Sequence, residues 1–176
     1  MSLRVFPVAN GARYTDDWGD PRSGGRSHAG NDLFSTEGTP LLAADDGEVR
    51  YGTDVLGGNV ANLRSPDGTR YYYAHLSAFE GTNRQVRAGD VIGYMGRTGN
   101  AANTPTHLHF EVHPGGGAAI DPFPLLNAAQ KVSASQKPST SLLWPLLFIG
   151  AVGLGLWAYG NVNVHTTQRL LRRLTR

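Results

Sequence analysis

The sequence predicts a mostly-β domain followed by a transmembrane α-helix. Three observations carry that expectation. Short apolar runs recur roughly every 8–15 residues and are separated by Gly, Pro, Asn and Asp turn signals. No strong 3.6-residue apolar period precedes Leu142, which argues against amphipathic helices in the body. From Leu142 to Tyr159, by contrast, no residue is charged. With 176 residues and 40% hydrophobic content, the chain can bury the core of one ordinary domain and has length to spare. Its 23 glycines and 10 prolines suit short strands joined by many turns.

The amino terminus, Met1 to Val8, has no apolar stretch of signal-peptide length. The first strand signal runs from Thr39 to Ala44, followed by an Asp46-Gly47 turn and a strand over Glu48–Tyr51. Gly58–Arg64 and Thr69–His75 form a hairpin about Pro66-Asp67-Gly68, because Asp-Gly tolerates the left-handed backbone that tight turns require. Gly89–Gly96 is another short strand. A Gly/Asn/Pro loop over residues 96–105 then leads into Thr106-His107-Leu108-His109-Phe110-Glu111-Val112. On such a strand Leu108, Phe110 and Val112 share one face, and His107 and His109 the other.

Four regions follow: a Gly-rich body over 1–126, a small, polar, flexible linker over 127–141, a membrane helix over 142–160 and a short basic tail over 161–176. At about 1.5 Å per residue the uncharged run is roughly 27 Å long, close to the hydrocarbon thickness of a bilayer. Trp144 near one end, and Trp157 with Tyr159 near the other, fit interfacial aromatic belts. Pro145 falls in the first turn, where a missing N–H costs little. Gly150, Gly153 and Gly155 offer a small-residue face for helix–helix packing.

Cysteine is absent, so disulfides and thiolate metal sites are excluded, and any metal must be held by His and Asp or Glu. The net charge of +2 is uneven. Arg169, Arg172, Arg173 and Arg176 lie in the last eight residues; setting those four aside leaves 12 of the 16 basic residues against 14 acidic ones. The basic character belongs to the tail, and no nucleic-acid partner is expected.

Four of the six histidines sit in three short segments: His28-Ala29-Gly30-Asn31-Asp32, Ala74-His75-Leu76-Ser77, and the His107/His109 strand. Singly, each is unremarkable; His28-x-x-x-Asp32 also suits a surface His with an Asp partner. Together, with no thiol competing, they suit a metal. Two imidazoles and a carboxylate hold a tetrahedral Zn²⁺ with one position left for water, whose pKa the metal lowers. Spare histidines beside the metal can accept a proton and steady a developing oxyanion. His75, sharing a strand face with Tyr71 and Tyr73, is expected to present its ring to the same cleft. His113, at a strand end, and His165, beyond the membrane run, are expected at the surface.

The ordered set His28-x-x-x-Asp32, Tyr73-Ala-His75-Leu-Ser and His107-Leu-His109-Phe-Glu-Val closely resembles the M23 (lysostaphin-type, LytM-like) zinc metallopeptidases. Phe6-Pro-Val, Gly38-Thr-Pro, Ala43-Ala-Asp-Asp-Gly47 and Val86-Arg-Ala-Gly-Asp-Val-Ile-Gly93 extend the resemblance over roughly residues 5–126. It implies a compact antiparallel β-sheet domain with a narrow substrate groove, cleaving peptide cross-links of bacterial peptidoglycan. It also implies one Zn²⁺ per chain, with His28, Asp32 and His109 as ligands. His107 would be the general base, and His75 the second catalytic histidine, orienting or stabilising the tetrahedral intermediate. Glu111 shares the face of His109, where it can support that ligand. Asn31, at a position commonly apolar in the family, and Asn103-Thr-Pro-Thr, where a Gly-Pro turn is usual, depart from the pattern without removing a catalytic group. A non-catalytic peptidoglycan-binding or structural virion module on the same fold is the competing class.

Lys131 and Lys137 precede the uncharged run and four arginines follow it. The positive-inside rule therefore expects a single-pass protein with residues 1–141 facing the wall and the tail in the cytoplasm. The expected partners are peptidoglycan stems and cross-links, the lipid bilayer through residues 142–160, and helix–helix or virion partners. Without a signal peptide, carriage in a phage virion membrane is one expected route and anchoring of a cellular protein through its carboxyl end the other.

Overall fold

The computed structural model describes residues 2–134. The transmembrane expectation for 142–160, most of the linker, the basic tail and His165 lie outside the described residues. Among the described residues no helix is long and apolar enough to cross a membrane.

In chain order the strands are β1 (Pro21–Arg22), β2 (Arg26–Ser27), β3 (Asn31–Phe34), β4 (Pro40–Leu42), β5 (Gly47–Asp54) and β6 (Gly58–Arg64). They continue as β7 (Arg70–Ala74), β8 (Ala78–Phe79), β9 (Arg84–Val86), β10 (Val91–Tyr94) and β11 (His107–His113), and a short helix α1 (Phe123–Ala128) follows. A six-stranded sheet has the order β3-β11-β7-β6-β5-β9, a three-stranded sheet the order β4-β10-β8, and β1 pairs β2 alone. Every one of these strand pairings is antiparallel.

The turn chemistry explains the central hairpin. Gly68 adopts φ 86°, its N–H donates to Ser65 O at 2.9 Å, and β6 and β7 then run in register from Arg64↔Arg70 to Ala61↔Tyr73. Alternation places Leu63, Tyr71, Tyr73, Leu108, Phe110 and Val112 in one apolar cluster with Leu41 and Ile92 of the smaller sheet and Phe6 and Val8 of the amino-terminal segment. Fully burying such side chains contributes about 1.5–3 kcal/mol each. The opposite face of the large sheet, bearing Asp32, Tyr72, His107, His109 and Glu111, lines an open groove of about 680 Å³.

Three short pieces had no signal in the pattern: β1–β2, β8 and β9 are too brief to show alternation. The globular part also runs beyond residue 126. Phe6 N–H donates to Gln130 O at 2.9 Å, Asn10 N–H donates to Val132 O at 3.0 Å, and Ala129 is buried. The first residues of the polar segment are therefore docked on the body.

Candidate metal centre

The register of β3 on β11 sets the centre. His109 and Asp32 are directly paired across the strands, as are His107 and Phe34, so these side chains share the groove face. His28 arrives from the segment between β2 and β3, where Gly30 crosses β11. A Cβ at Gly30 would overlap the Phe110 carbonyl oxygen and sit 3.0 Å from His109 Cε1, so only glycine permits this approach.

Three donors converge. His28 Nε2 lies 2.9 Å from His109 Nδ1, and each lies 3.1 Å from Asp32 Oδ1. Bonds of about 2.0–2.1 Å to a tetrahedral ion imply donor separations of about 3.3 Å, so this triangle fits one face of such a shell. The protons point the right way. His28 Nδ1–H donates to Asp17 O at 2.8 Å and His109 Nε2–H donates to Glu111 Oε1 at 3.0 Å. That leaves two nitrogen lone pairs and a carboxylate oxygen facing one point, an arrangement only a cation relieves. In the metal-free chain that cation is a proton. Burial opposes charge on His28, but hydrogen bonds to Asp17 and Asp32 and the Asp32 charge push its pKa up to about 9. Burial likewise works against the Asp32 carboxylate, yet His109 and His28 hold it far below the usual carboxylate range.

His107 and His75 stand beside the triangle. His107 Nδ1–H donates to Pro105 O at 2.8 Å, which turns the bare Nε2 toward the centre, 3.9 Å from Asp32 Oδ1. Pro105 of the unusual Asn103-Thr-Pro-Thr segment therefore fixes the tautomer of His107. His75 enters by a different route from the one expected. Tyr71 and Tyr73 are buried in the core on the far face of β7, and simple alternation would send His75 after them. Instead His75 has φ 68°, its N–H donates to Gly57 O at 2.7 Å, and the left-handed residue turns its ring into the groove. Its ring centroid is 4.8 Å from that of His107. His75 Nδ1–H donates to Thr98 O at 2.9 Å, and burial followed by the His107 charge pulls its pKa down to about 4. His75 is thus a neutral ring with a bare Nε2.

Around these lies a shell largely hidden in the sequence. Asp17 Oδ1 accepts from Asn31 Nδ2 at 2.7 Å, while Arg22 Nη2 bridges Asp17 Oδ2 at 3.3 Å and Asp32 Oδ2 at 3.1 Å. Asn31, fully buried, thereby ties the loop that positions His28 to β3. Glu111 supports His109 as its position suggested. His113 is buried, contrary to the expected exposure, because Nε2–H donates to Glu111 Oε2 at 2.6 Å and Nδ1–H donates to Gly117 O at 2.8 Å. The only signal for Asp17 and Arg22 was the charge density of Asp16-Asp17-Trp18-Gly19-Asp20-Pro21-Arg22, indistinguishable from solvated surface.

A two-sheet antiparallel domain whose groove floor carries a His/Asp/His donor triangle and two bare-nitrogen imidazoles has the makings of a metal-dependent hydrolytic domain. Comparison with known proteins agrees. The model of peptidase family M23 matches residues 26–122. The DD-carboxypeptidase/endopeptidase Mpg of Neisseria meningitidis is 37% identical over 125 residues, 67% of this chain and 29% of that protein. The L-Ala--D-Glu endopeptidase of Bacillus subtilis is 32% identical over 146 residues, 75% of this chain and 45% of that protein. The catalytic domain of lysostaphin from Staphylococcus simulans superposes with a TM-score of 0.60 at 34% identity, covering 66% of this chain and 92% of that domain. The chain therefore spans well under half the length of those curated relatives. This chain belongs to peptidase family M23.

Proposed function

We propose that the domain is a zinc-dependent endopeptidase that hydrolyses peptide cross-links of bacterial peptidoglycan. The observation that carries this is the convergence of His28 Nε2, Asp32 Oδ1 and His109 Nδ1 on one point, with the bare Nε2 of His107 beside it. His28, Asp32 and His109 would hold the Zn²⁺, which when bound supplies a Lewis acid that acidifies water and polarises a carbonyl. His107, its Nδ1–H committed to Pro105, accepts the proton of the attacking water at Nε2 and later returns it to the leaving amine. His75, neutral and committed through Nδ1–H to Thr98, accepts a hydrogen bond at Nε2 and orients that water. Stabilising an oxyanion would demand the doubly protonated ring, so orientation is the role this tautomer favours. Arg22 and Glu111 hold the Asp32 and His109 side chains in their donor orientations.

The test combines purified sacculi, a chelator and two variants. Peptide release should vanish with the chelator and return with zinc. His107→Ala should abolish turnover with metal content intact, whereas His109→Ala should lose the metal. Binding to sacculi without peptide release after zinc reconstitution would favour the binding-module class instead.

We also propose that the uncharged run Leu142–Tyr159 anchors the chain in a bilayer, cellular or virion, with the catalytic domain facing the wall and Arg169–Arg176 in the cytoplasm. The polar segment before it would give a reach of about 20 Å. Protease digestion of intact spheroplasts and virions tests the orientation, and a domain shielded in both would refute it.

A further inference from the structure

The β1–β2 hairpin carries a charge arrangement that the catalytic reading does not use. Arg22 and Arg26 are directly paired across the two strands, and both line the groove. Like charges placed opposite each other are destabilising. Arg22 is neutralised by Asp17 and Asp32. Arg26 is not: Nε–H donates to Ser23 O at 3.2 Å, and no carboxylate among the described residues lies within ion-pair distance of it. The carboxylates of the groove are meanwhile all engaged. Asp32 is held by His28, His109 and Arg22, and Glu111 by His109 and His113. Asp54 accepts from Tyr72 O–H and Gly57 N–H. Two free guanidinium nitrogens of Arg26 therefore face an anion-poor groove in the fork geometry that suits a carboxylate.

The location narrows what that carboxylate is. Arg26 precedes His28 by two residues, so on extended chain their side chains share a face with Cα atoms about 6.5–7 Å apart. A group bound there lies within a few bonds of the carbonyl attacked at the metal centre. We propose that Arg26 reads a free carboxylate on the substrate residue that supplies the scissile nitrogen. Cross-links differ in that feature. In a D-alanyl-diaminopimelate link, the carbon attached to the scissile nitrogen bears a carboxylate. In a D-alanyl-lysine link that carbon is a methylene, and within a glycine bridge the neighbouring carboxyl is tied up as amide. Arg26 thus selects diaminopimelate-type links, an inference that rests on the proposed peptidoglycan endopeptidase activity and names its substrate class.

The experiment uses the zinc-loaded full chain and two cross-linked muropeptide dimers. They are identical except that the diaminopimelate carboxylate beside the scissile amide is free in one and a carboxamide in the other. The free form should be favoured about tenfold in kcat/KM at low salt, chiefly through KM, which corresponds to about 1.4 kcal/mol. The preference should shrink with rising ionic strength. It should fall to about onefold in Arg26→Gln and reverse in Arg26→Glu, with melting temperature and zinc content reporting that both variants are folded. Arg26→Lys should recover part of it. Equal cleavage of both dimers by the unaltered chain, or an undiminished preference in folded Arg26→Gln, overturns the inference while leaving the endopeptidase reading intact. Cleavage of neither dimer nor of any sacculus peptide overturns both.

Discussion

Glu111→Gln isolates the support of a single donor. The carboxylate is clamped at both ends: His109 Nε2–H donates to Oε1 at 3.0 Å and His113 Nε2–H donates to Oε2 at 2.6 Å. His113 commits its Nδ1–H to Gly117 O, so Nε2 must be the donor toward an ionised Glu111. Glutamine keeps the shape and loses the logic. If its carbonyl oxygen stays on His109, its NH₂ meets the His113 N–H; if the amide flips, the NH₂ opposes the His109 N–H and the tautomer that bares Nδ1 is lost. One of two charge-assisted bonds is sacrificed either way. Removing an orienting partner of a metal-bound histidine typically costs 10–100-fold in affinity, or about 1.4–2.7 kcal/mol. Competition for zinc against a chromophoric chelator measures it, with the metal-free melting temperature recorded in parallel. His113→Asn should weaken binding less, and the double variant should be less than additive, because both act on one carboxylate. Zinc affinity of Glu111→Gln within threefold of the unaltered chain would refute this chain of support.

Gly30→Ala should separate β3 from β11, since its Cβ would overlap the Phe110 carbonyl and press on His109; a loss of roughly 2–4 kcal/mol in stability together with depleted zinc is expected, and normal zinc content refutes it. Asn31→Leu removes the donor to Asp17 but also an Oδ1 that has no protein partner, so stability should change by less than about 1 kcal/mol while zinc binding weakens several-fold; a parallel fall in both would make Asn31 merely structural. The metal-free chain should show a pH signature of opposite sign to its acids. The folded pKa of His28, raised from 6.5 to about 9, contributes stability fully present below about 6.5 and lost as pH rises through about 9. Asp17 and Asp32, both lowered, contribute above 3.8 and lose it as pH falls. Chelated protein should therefore melt highest in the mildly acidic range, and zinc uptake near pH 7 should release about one proton, measured by calorimetry in two buffers; uptake without proton release would contradict the assignment.

What the sequence disclosed, and what it withheld, follows from the range of each signal. Period-two alternation made the His107–His109 strand legible, and the Asp67-Gly68 turn chemistry made the β6–β7 hairpin legible, because both act between near neighbours. His75 misled on mechanism: strand alternation assigned it to the face of Tyr73, and the left-handed backbone that redirects it depends on a tertiary contact with Gly57. The polar shell was beyond reach for the same reason. Asp17 meets Asn31, and Arg70 meets His113 at 2.8 Å, only after sheet pairing brings distant segments together. The buried His113 looked like an exposed strand end because nothing local marks the Gly117 carbonyl that receives its proton.

The centre is a by-product of how the sheet earns its stability. A one-residue slip of β11 against its neighbours would carry His107 and His109 into the core and expel Leu108, Phe110 and Val112 into the groove. At about 1.5–3 kcal/mol for each buried side chain, that slip costs about 5–9 kcal/mol, comparable with the whole stability of a small domain. The register that pairs His109 with Asp32 is therefore enforced from the apolar face, with no contribution needed from any ion. Two bare imidazole nitrogens 2.9 Å apart beside a carboxylate are then held together by forces indifferent to their repulsion. A proton on His28 relieves that repulsion in the metal-free chain, and a metal ion relieves it better, because all three donors bind it at once. Affinity for the ion is in this sense stored in the hydrophobic face, which is why Gly30, a residue without a side chain, is as necessary to the centre as the donors it lets approach.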